Sequence, residues 1–185
     1  MKRVIAGAVA ASLLAAPAWA DLKPGDKAPD FSAPAYLAGK PFTYRLGDAL
    51  KKGPVVVYFF PSAHTKGCNL EAHLFSEAID QFKAEHATVI GVTAGNVDQL
   101  SDFSKETEHC GGKFPVAADP GAKIAKQYDA PLKLVGVSLP GDLSARTSYL
   151  VGPDGKVVSA YSNLDATDHV NQMLTALKAW RAKHP

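Results

Sequence analysis

Cysteine is scarce in this sequence. Cys68 and Cys110 are the only two cysteines among 185 residues, and they lie far apart. They do not form the C-x-x-C pair of a thioredoxin-type dithiol oxidoreductase, which needs its second thiol one helical turn from the first. The spacing therefore argues against that class of enzyme.

Clustered positive charge and long apolar runs are also missing from most of the chain. The 20 Lys and Arg residues are dispersed and nearly balance 18 Asp and Glu residues, giving a formal net charge of +2. Because no basic patch is interleaved with aromatic residues, we expect no nucleic-acid or anionic-membrane partner. From Asp21 onward no apolar run is long enough to cross a bilayer. The length predicts one domain with a single substantial core.

Residues 1–20 have the pattern of a signal peptide. Lys2 and Arg3 precede an apolar run at 4–16, and residues 18–20 form an A-x-A cleavage site. We predict a mature domain of residues 21–185 in the periplasm, free of the membrane after cleavage, where disulfides can persist. An uncleaved membrane anchor is the alternative.

The pattern of apolar segments predicts an α/β fold. Residues 55–60 form a continuous apolar run between two prolines, which is typical of a buried central strand. Strands are also predicted at 42–46, 88–93, 114–118, 148–151 and 157–161, and helices from just after Cys68 to about 85, at 97–109, 122–128 and 166–182. Residues 129–145 are expected to be irregular. This order predicts a three-layer sandwich with a central mixed sheet.

The most informative residue is Cys68. It follows the central strand and Pro61, and a helical pattern begins one or two residues later. The thiol would then lie in the first turn of a helix, where free backbone N–H groups and the helix dipole favour an anion. The layout predicts a reactive cysteine, the alternative being a small buried hydrophobe.

These residues carry a family resemblance. Pro61, Thr65 and Cys68 fit the peroxiredoxin pattern P-x-x-x-T-x-x-C, and the continuation through Glu71 is similar to the bacterioferritin-comigratory, or Q-type, branch. Residues 146–158 resemble the arginine-bearing strand and hairpin of the same family. The resemblance implies, independently of the apolar pattern, a thioredoxin-like fold.

The resemblance also implies a role for each site residue. Cys68 would attack a peroxide and become a sulfenic acid, and Arg146 would be the cation beside its thiolate, rather than an ordinary strand-edge charge. Glu71 would hold that arginine, rather than being a surface carboxylate. The Thr65 hydroxyl would contact the sulfur and the peroxide, a role compatible with capping the helix. Pro61 would shield the thiolate from water or merely end the strand.

Cys110 is the candidate resolving cysteine. Q-type relatives often carry theirs five positions after the reactive cysteine, but His73 stands there in this chain. Cys110, near the end of the helix predicted at 97–109, lies where other members carry theirs, and Gly111 and Gly112 would supply mobility. We predict a Cys68–Cys110 disulfide. A structural thiol, or a one-cysteine cycle with an external thiol, are the alternatives.

The sequence predicts neither a metal site nor a cofactor. The spacings of His64 and His73 from Cys68 are not those of zinc sites, and no further ligands are evident. The predicted function is that of an exported thiol peroxidase for hydrogen peroxide or organic hydroperoxides. An exported thioredoxin-like protein or another thiol donor would reduce it. The protein is expected to be a monomer or a homodimer. The alternatives are a non-catalytic redox sensor or partner-binding module on the same fold, and a metal-handling protein.

Overall fold

The structure, a computed structural model, describes residues 22–132 and 142–184. The predicted signal peptide, residues 1–20, lies outside the described residues. In chain order the elements are β1 (Ser32–Leu37), β2 (Lys40–Arg45), α1 (Leu46–Leu50), β3 (Val55–Phe59), α2 (Lys66–Ala84), β4 (Thr88–Thr93), α3 (Leu100–Lys105), β5 (Val116–Ala118), α4 (Lys123–Gln127), β6 (Thr147–Val151), β7 (Val157–Ser162) and α5 (His169–Arg181). A 3-10 turn at Val97–Gln99 leads into α3.

The strands form one mixed sheet with the order β2-β1-β5-β4-β3-β6-β7. The three central strands β5, β4 and β3 run parallel. The flanking pairs are antiparallel: β6 and β7 extend the sheet beyond β3, and β1 and β2 extend it beyond β5. This arrangement confirms the predicted central mixed sheet.

β3 divides the core into two layers. All five of its residues are buried, and alternate side chains point to opposite faces of the sheet. Val56 and Tyr58 pack in the cluster that contains residues of α2, α3 and α5, whereas Val57 and Phe59 pack in the cluster with residues of α1 and α4. A strand buried on both faces needs apolar residues at every position, which explains its continuous run. Helices on both faces confirm the three-layer sandwich.

Three predicted helix boundaries are wrong, and the last helix begins at His169 and not at 166. α2 begins at Lys66, before Cys68, because the Thr65 carbonyl already accepts a hydrogen bond from the Asn69 N–H at 2.8 Å. The helix predicted at 97–109 ends at Lys105. Cys110 therefore lies in the turns that follow α3 and not in a helix.

β1 was not predicted, and its composition explains why. Pro34 is a poor strand residue, and the side chains that β1 buries are mainly those of Ala33 and Ala35, which give a weak apolar signal. The strand is held by full pairing with β2 and by a short ladder to β5.

Among the described residues, no helix is both long and apolar enough to span a membrane.

Gly91 makes a testable contribution to the core. It pairs with Tyr58 across β3 and β4, and a β-carbon at Gly91 would stand 2.8 Å from the Tyr58 Cζ and Oη atoms. Gly91→Ala should therefore overpack the layer beneath α2 and lower the free energy of unfolding by about 1–3 kcal/mol. Chemical denaturation measures this change.

The control for Gly91→Ala is Lys178→Ala, which alters an exposed position of α5. That variant should stay within about 0.5 kcal/mol of the parent protein. Equal stability of Gly91→Ala and the parent would show that Tyr58 can move aside without cost.

Candidate active site

The loop between β3 and α2 is fastened to the end of β4. The Thr93 hydroxyl donates to the Pro61 carbonyl at 3.2 Å, and the Ala63 N–H donates to the Gly95 carbonyl at 3.4 Å. The Asn96 side-chain amide donates to the Ala63 carbonyl at 2.8 Å. These bonds fix the path of the loop that leads to Cys68.

Cys68 lies in the first turn of α2, and its thiol faces Arg146. The residue is only 1% exposed. An Arg146 Nη2 hydrogen bond reaches the Cys68 Sγ atom at 3.5 Å. β6 runs antiparallel to β3, so Thr147 at its start pairs with Phe59 at the end of β3. The pairing of these strands therefore carries Arg146 to the same end of the sheet as Cys68.

The guanidinium of Arg146 is held by three different groups. Besides the thiol, Nη1 donates to the Glu71 Oε2 atom, and Nε donates to the Leu164 carbonyl at 2.9 Å. Both Arg146 and Glu71 are buried. Because the guanidinium is planar and its donors are fixed in direction, these bonds orient Nη2 toward the sulfur. The structure thus brings the predicted Arg146, Glu71 and Cys68 together.

Gly67 leaves the space that the Arg146 guanidinium needs to reach the Cys68 sulfur. A β-carbon at Gly67 would stand 3.0 Å from the Arg146 Nη2 atom. That contact is tight, and a guanidinium with three partners has little freedom to move away. Glycine at this position therefore permits the contact between arginine and thiol.

Glu71 lies one turn after Cys68 on α2 and is fully buried. Burial raises the pKa of its carboxyl to about 8, although the positive charge of Arg146 acts in the opposite direction. Its second oxygen, Oε1, has no hydrogen-bond partner among the described residues. A proton on Glu71 would leave the charge of Arg146 to the thiolate alone.

His169 is a buried neighbour of Glu71. Its Nδ1 atom lies 3.5 Å from the Glu71 Oε1 atom. Its Nε2 atom bonds to the Asn163 carbonyl at 2.9 Å, and since a carbonyl only accepts, Nε2 carries the ring proton. Nδ1 then accepts from the Ser148 hydroxyl at 2.8 Å. Burial lowers the pKa of His169, which favours this neutral ring.

Of the two remaining loop residues of the predicted site, Thr65 contacts the backbone through its side chain, and Pro61 accepts a hydrogen bond from Thr93 through its carbonyl. Thr65 occupies the N-cap position of α2, but its hydroxyl donates to the Ser62 carbonyl at 2.9 Å and makes no capping bond. The predicted capping of the helix by the Thr65 side chain is therefore wrong. Its contact with the sulfur and peroxide stays a prediction, as does the shielding by Pro61.

Cys110 is buried in the turns after α3. It carries a free thiol, as does Cys68, and both belong to the same apolar cluster. Burial raises the pKa of the Cys110 thiol. Gly111 and Gly112 adopt positive φ, and their N–H groups bond back to the Glu106 and Ser104 carbonyls at 2.9 Å. The predicted mobility of this pair therefore requires those bonds to break.

Sequence reasoning missed three parts of the site: Gly67, the Leu164 carbonyl and His169. His169 offered a signal, because it begins the apolar stripe that continues through Val170 and Met173 on α5. A titratable residue in such a stripe is buried when the helix packs. The Leu164 contact is made by a backbone carbonyl, and Gly67 matters because it has no side chain. No residue pattern reveals either feature.

The family model described as AhpC/TSA family matches residues 24–160. The chain belongs to the AhpC/TSA family. Peroxiredoxin Q, chloroplastic, of Oryza sativa subsp. japonica is 32% identical over 130 residues, covering 70% of this chain and 56% of that protein.

Solved structures agree with this assignment. Peroxidoxin BcpB from Mycobacterium tuberculosis has a TM-score of 0.73 at 28% identity, covering 85% of this chain and 97% of that one. A cysteine-to-serine mutant of Xylella fastidiosa PrxQ has a TM-score of 0.74 at 26% identity, covering 88% of this chain and 99% of that one. The thioredoxin-like fold and the resemblance to Q-type peroxiredoxins are confirmed. This AhpC/TSA-family protein is a thiol-dependent peroxidase.

The buried carboxyl of this peroxidase gives a prediction for stability against pH. The pKa of Glu71 rises on folding from the ordinary value of 4.5 to about 8, so the folded chain holds a proton that the unfolded chain releases. The free energy of unfolding of the reduced protein should therefore fall as pH rises between these values. The slope from this group approaches about 1.4 kcal/mol per pH unit. Chemical denaturation at a series of pH values measures it.

Glu71→Gln removes the proton but keeps an oxygen that can accept from Arg146, so this decline should flatten. Glu77→Gln on the exposed face of the same helix is the matched control and should keep the parental slope. An identical slope in Glu71→Gln and the parent would show that Glu71 is already ionised in the folded protein.

Proposed function

We propose that this protein is an exported peroxidase in which Cys68 is the residue that peroxide oxidises. The observation that carries the proposal is the 3.5 Å hydrogen bond from Arg146 Nη2 to the Cys68 sulfur, in the first turn of α2. A cation, a hydrogen-bond donor and a helix N-terminus thus converge on this one sulfur atom. Substrates are hydrogen peroxide or organic hydroperoxides.

The first chemical step consumes the peroxide. The Cys68 thiolate attacks one oxygen, an S–O bond forms as the O–O bond breaks, and the other oxygen leaves as water or an alcohol after taking up a proton. Sulfur is oxidised to a sulfenic acid and the peroxide is reduced. Arg146 donates to the charge that develops on oxygen, a role in which a fixed donor gives large acceleration.

The second step forms a disulfide with Cys110. Its thiol attacks the sulfenic sulfur, an S–S bond forms, and water leaves. Both thiols are buried, so the first turn of α2 and the turns at 106–112 must open locally for the sulfur atoms to meet. An external thiol, such as an exported thioredoxin-like donor, then returns both cysteines to the reduced form.

Export is supported by the first twenty residues. The basic start, the apolar run and the A-x-A site are those of a signal peptide. We place the mature chain in the periplasm, where a disulfide formed in the cycle persists until a dedicated reductant reaches it.

The cysteine roles can be separated by mutation. Cys68→Ser should abolish peroxide consumption, because no thiolate remains beside Arg146. Cys110→Ser should complete one stoichiometric turnover and stop, because the sulfenic acid has no internal partner. Non-reducing mass spectrometry after one equivalent of peroxide should show a loss of two hydrogens in the parent and a gain of one oxygen in Cys110→Ser.

Three outcomes would contradict these roles. Turnover by Cys68→Ser would move the nucleophile elsewhere. Repeated turnover by Cys110→Ser at the parental rate would establish a one-cysteine cycle with an external thiol. A parent protein that is oxidised by peroxide but never turns over with any thiol donor would support the redox-sensor alternative.

The role of Arg146 has its own test. Arg146→Met should slow peroxide consumption by about 10²–10³-fold, as loss of one fixed donor to developing charge does in other enzymes. Arg146→Lys should be intermediate, because it keeps the charge but loses the planar fork. Stopped-flow measurement of the oxidation rate of the reduced protein gives these values.

The control is Arg45→Met, which removes an exposed arginine at the end of β2 and should leave the rate unchanged. Arg146→Met also leaves Glu71 without its partner, so Arg146→Met/Glu71→Gln provides a second variant with a neutral pair. A parental oxidation rate in either folded variant would exclude Arg146 from the reaction.

A further inference from the structure

Three side chains outside the thiol site converge between the loop after β3 and the turns after α3. His64 belongs to the loop that leads into α2, and Glu106 and His109 belong to the turns that precede Cys110. One potential ligand atom from each lies within 4.8 Å of the others. The chain therefore holds two imidazoles and one carboxylate around a common point.

The separations between these atoms are close to those around a metal ion. The Glu106 Oε2 atom is 2.9 Å from His109 Nδ1 and 3.8 Å from His64 Nδ1. Ligands that surround tetrahedral zinc at its usual bond lengths stand about 3.4 Å apart. Small rotations of the side chains would bring all three onto one ion.

The surrounding structure positions both rings. His109 stacks on Phe103 with 4.8 Å between ring centroids, and His64 meets the same phenylalanine edge-on at 5.3 Å. The planes of the two imidazole rings are nearly perpendicular, and their centroids are 5.1 Å apart. His64 also adopts a left-handed backbone with φ of 58°, which turns the loop at this residue. The rings are held against an apolar wall and are not loose surface groups.

An ordinary ion pair between His109 and Glu106 accounts for only part of this arrangement. The His109 side chain is just 7% exposed, yet its Nδ1 atom makes no hydrogen bond of acceptable geometry among the described residues. A pair also gives no reason for His64 to approach the same carboxylate oxygen. Two imidazole nitrogens and one carboxylate oxygen, all within 4.8 Å of one another, form a donor set that could hold a metal ion.

We propose that His64, Glu106 and His109 bind a divalent transition-metal ion, with Zn²⁺ as the reference ion. Imidazole nitrogen suits zinc and its neighbours in the first transition row, whereas an all-oxygen set would suit Ca²⁺ or Mg²⁺. Three protein ligands leave a fourth position for water. The His64 and Glu106 side chains, 26% and 43% exposed, provide access from solvent.

The site joins the two segments that carry the cysteines. His64 lies four residues before Cys68, and His109 immediately precedes Cys110. An ion held by both segments would stabilise the folded arrangement and oppose the local opening that a disulfide requires. This consequence, unlike the binding itself, rests on the proposed function: zinc should slow disulfide formation and prolong the life of the sulfenic acid.

Binding is tested on the reduced mature protein with metal alone. Zn²⁺ titrated against a chromophoric chelator should bind with one-to-one stoichiometry. Co²⁺ in the same site should show visible bands of a four-coordinate ion and no thiolate-to-cobalt charge-transfer band, because the ligands are nitrogen and oxygen. Glu106→Gln and His109→Phe should each weaken zinc binding at least tenfold, as loss of one of three ligands does.

A matched pair of histidine variants controls for effects of the backbone. His64→Asn and His86→Asn both replace a histidine of left-handed conformation, with φ of 58° and 52°, by a residue that tolerates it. Only His64→Asn should weaken zinc binding. Cys68→Ser should bind zinc as the parent does, because its thiol is not a ligand.

Several results would overturn the proposal. Zinc affinity lost in Cys68→Ser, or a charge-transfer band with Co²⁺, would place the metal on the thiolate. Equal weakening by His64→Asn and His86→Asn, or binding only at millimolar zinc, would also exclude the site. Disulfide formation is followed separately: if zinc binds but does not slow it, the site stands and its coupling to the cysteines is wrong. If Cys68 proves unreactive, the titration remains valid.

Discussion

The buried guanidinium of Arg146 is the group on which the arrangement of this site depends. A cation taken out of water must be matched by negative charge and by acceptors for its donors. Glu71 and Cys68 on α2 are the two acidic groups that contact it, and the Leu164 carbonyl provides a further acceptor. One side chain of the segment before β6 therefore links the first turns of α2 to the segment before α5, in addition to the apolar packing of α2.

One cation serves two acids in this arrangement. Glu71 and Cys68 both contact Arg146, but a buried cluster is closest to neutral when only one of them is ionised. Burial of Glu71 moves the balance toward its protonated form, which leaves the arginine to the sulfur. The protonation of Glu71 therefore decides how the charge of Arg146 is shared, and His169 lies beside the same carboxyl, with its Nδ1 atom 3.5 Å from Oε1.

Local pattern was enough to predict the elements that are apolar on both faces or that carry a motif. A few neighbouring residues were enough to predict β3, the turn at Pro61 and the β6–β7 hairpin. What could not be predicted depends on partners far away in the sequence. The end of α3 is set by backbone bonds from the glycines after Cys110, and the approach of Glu106 to His64 is set by the packing of two separate segments on Phe103. No single stretch of sequence contains that information.

Gly67 bears on how sequence patterns of this kind should be understood. In P-x-x-x-T-x-x-C the two positions before the cysteine are written with the same letter, as if either could vary freely. In this protein they are physically unequal. Lys66 is exposed, whereas a β-carbon at Gly67 would press on the Arg146 Nη2 atom at 3.0 Å and require it to move by a few tenths of an ångström. One unspecified letter thus covers an open position and a sterically tight one. A side chain at the second position would shift the guanidinium of Arg146 although the arginine itself is unchanged.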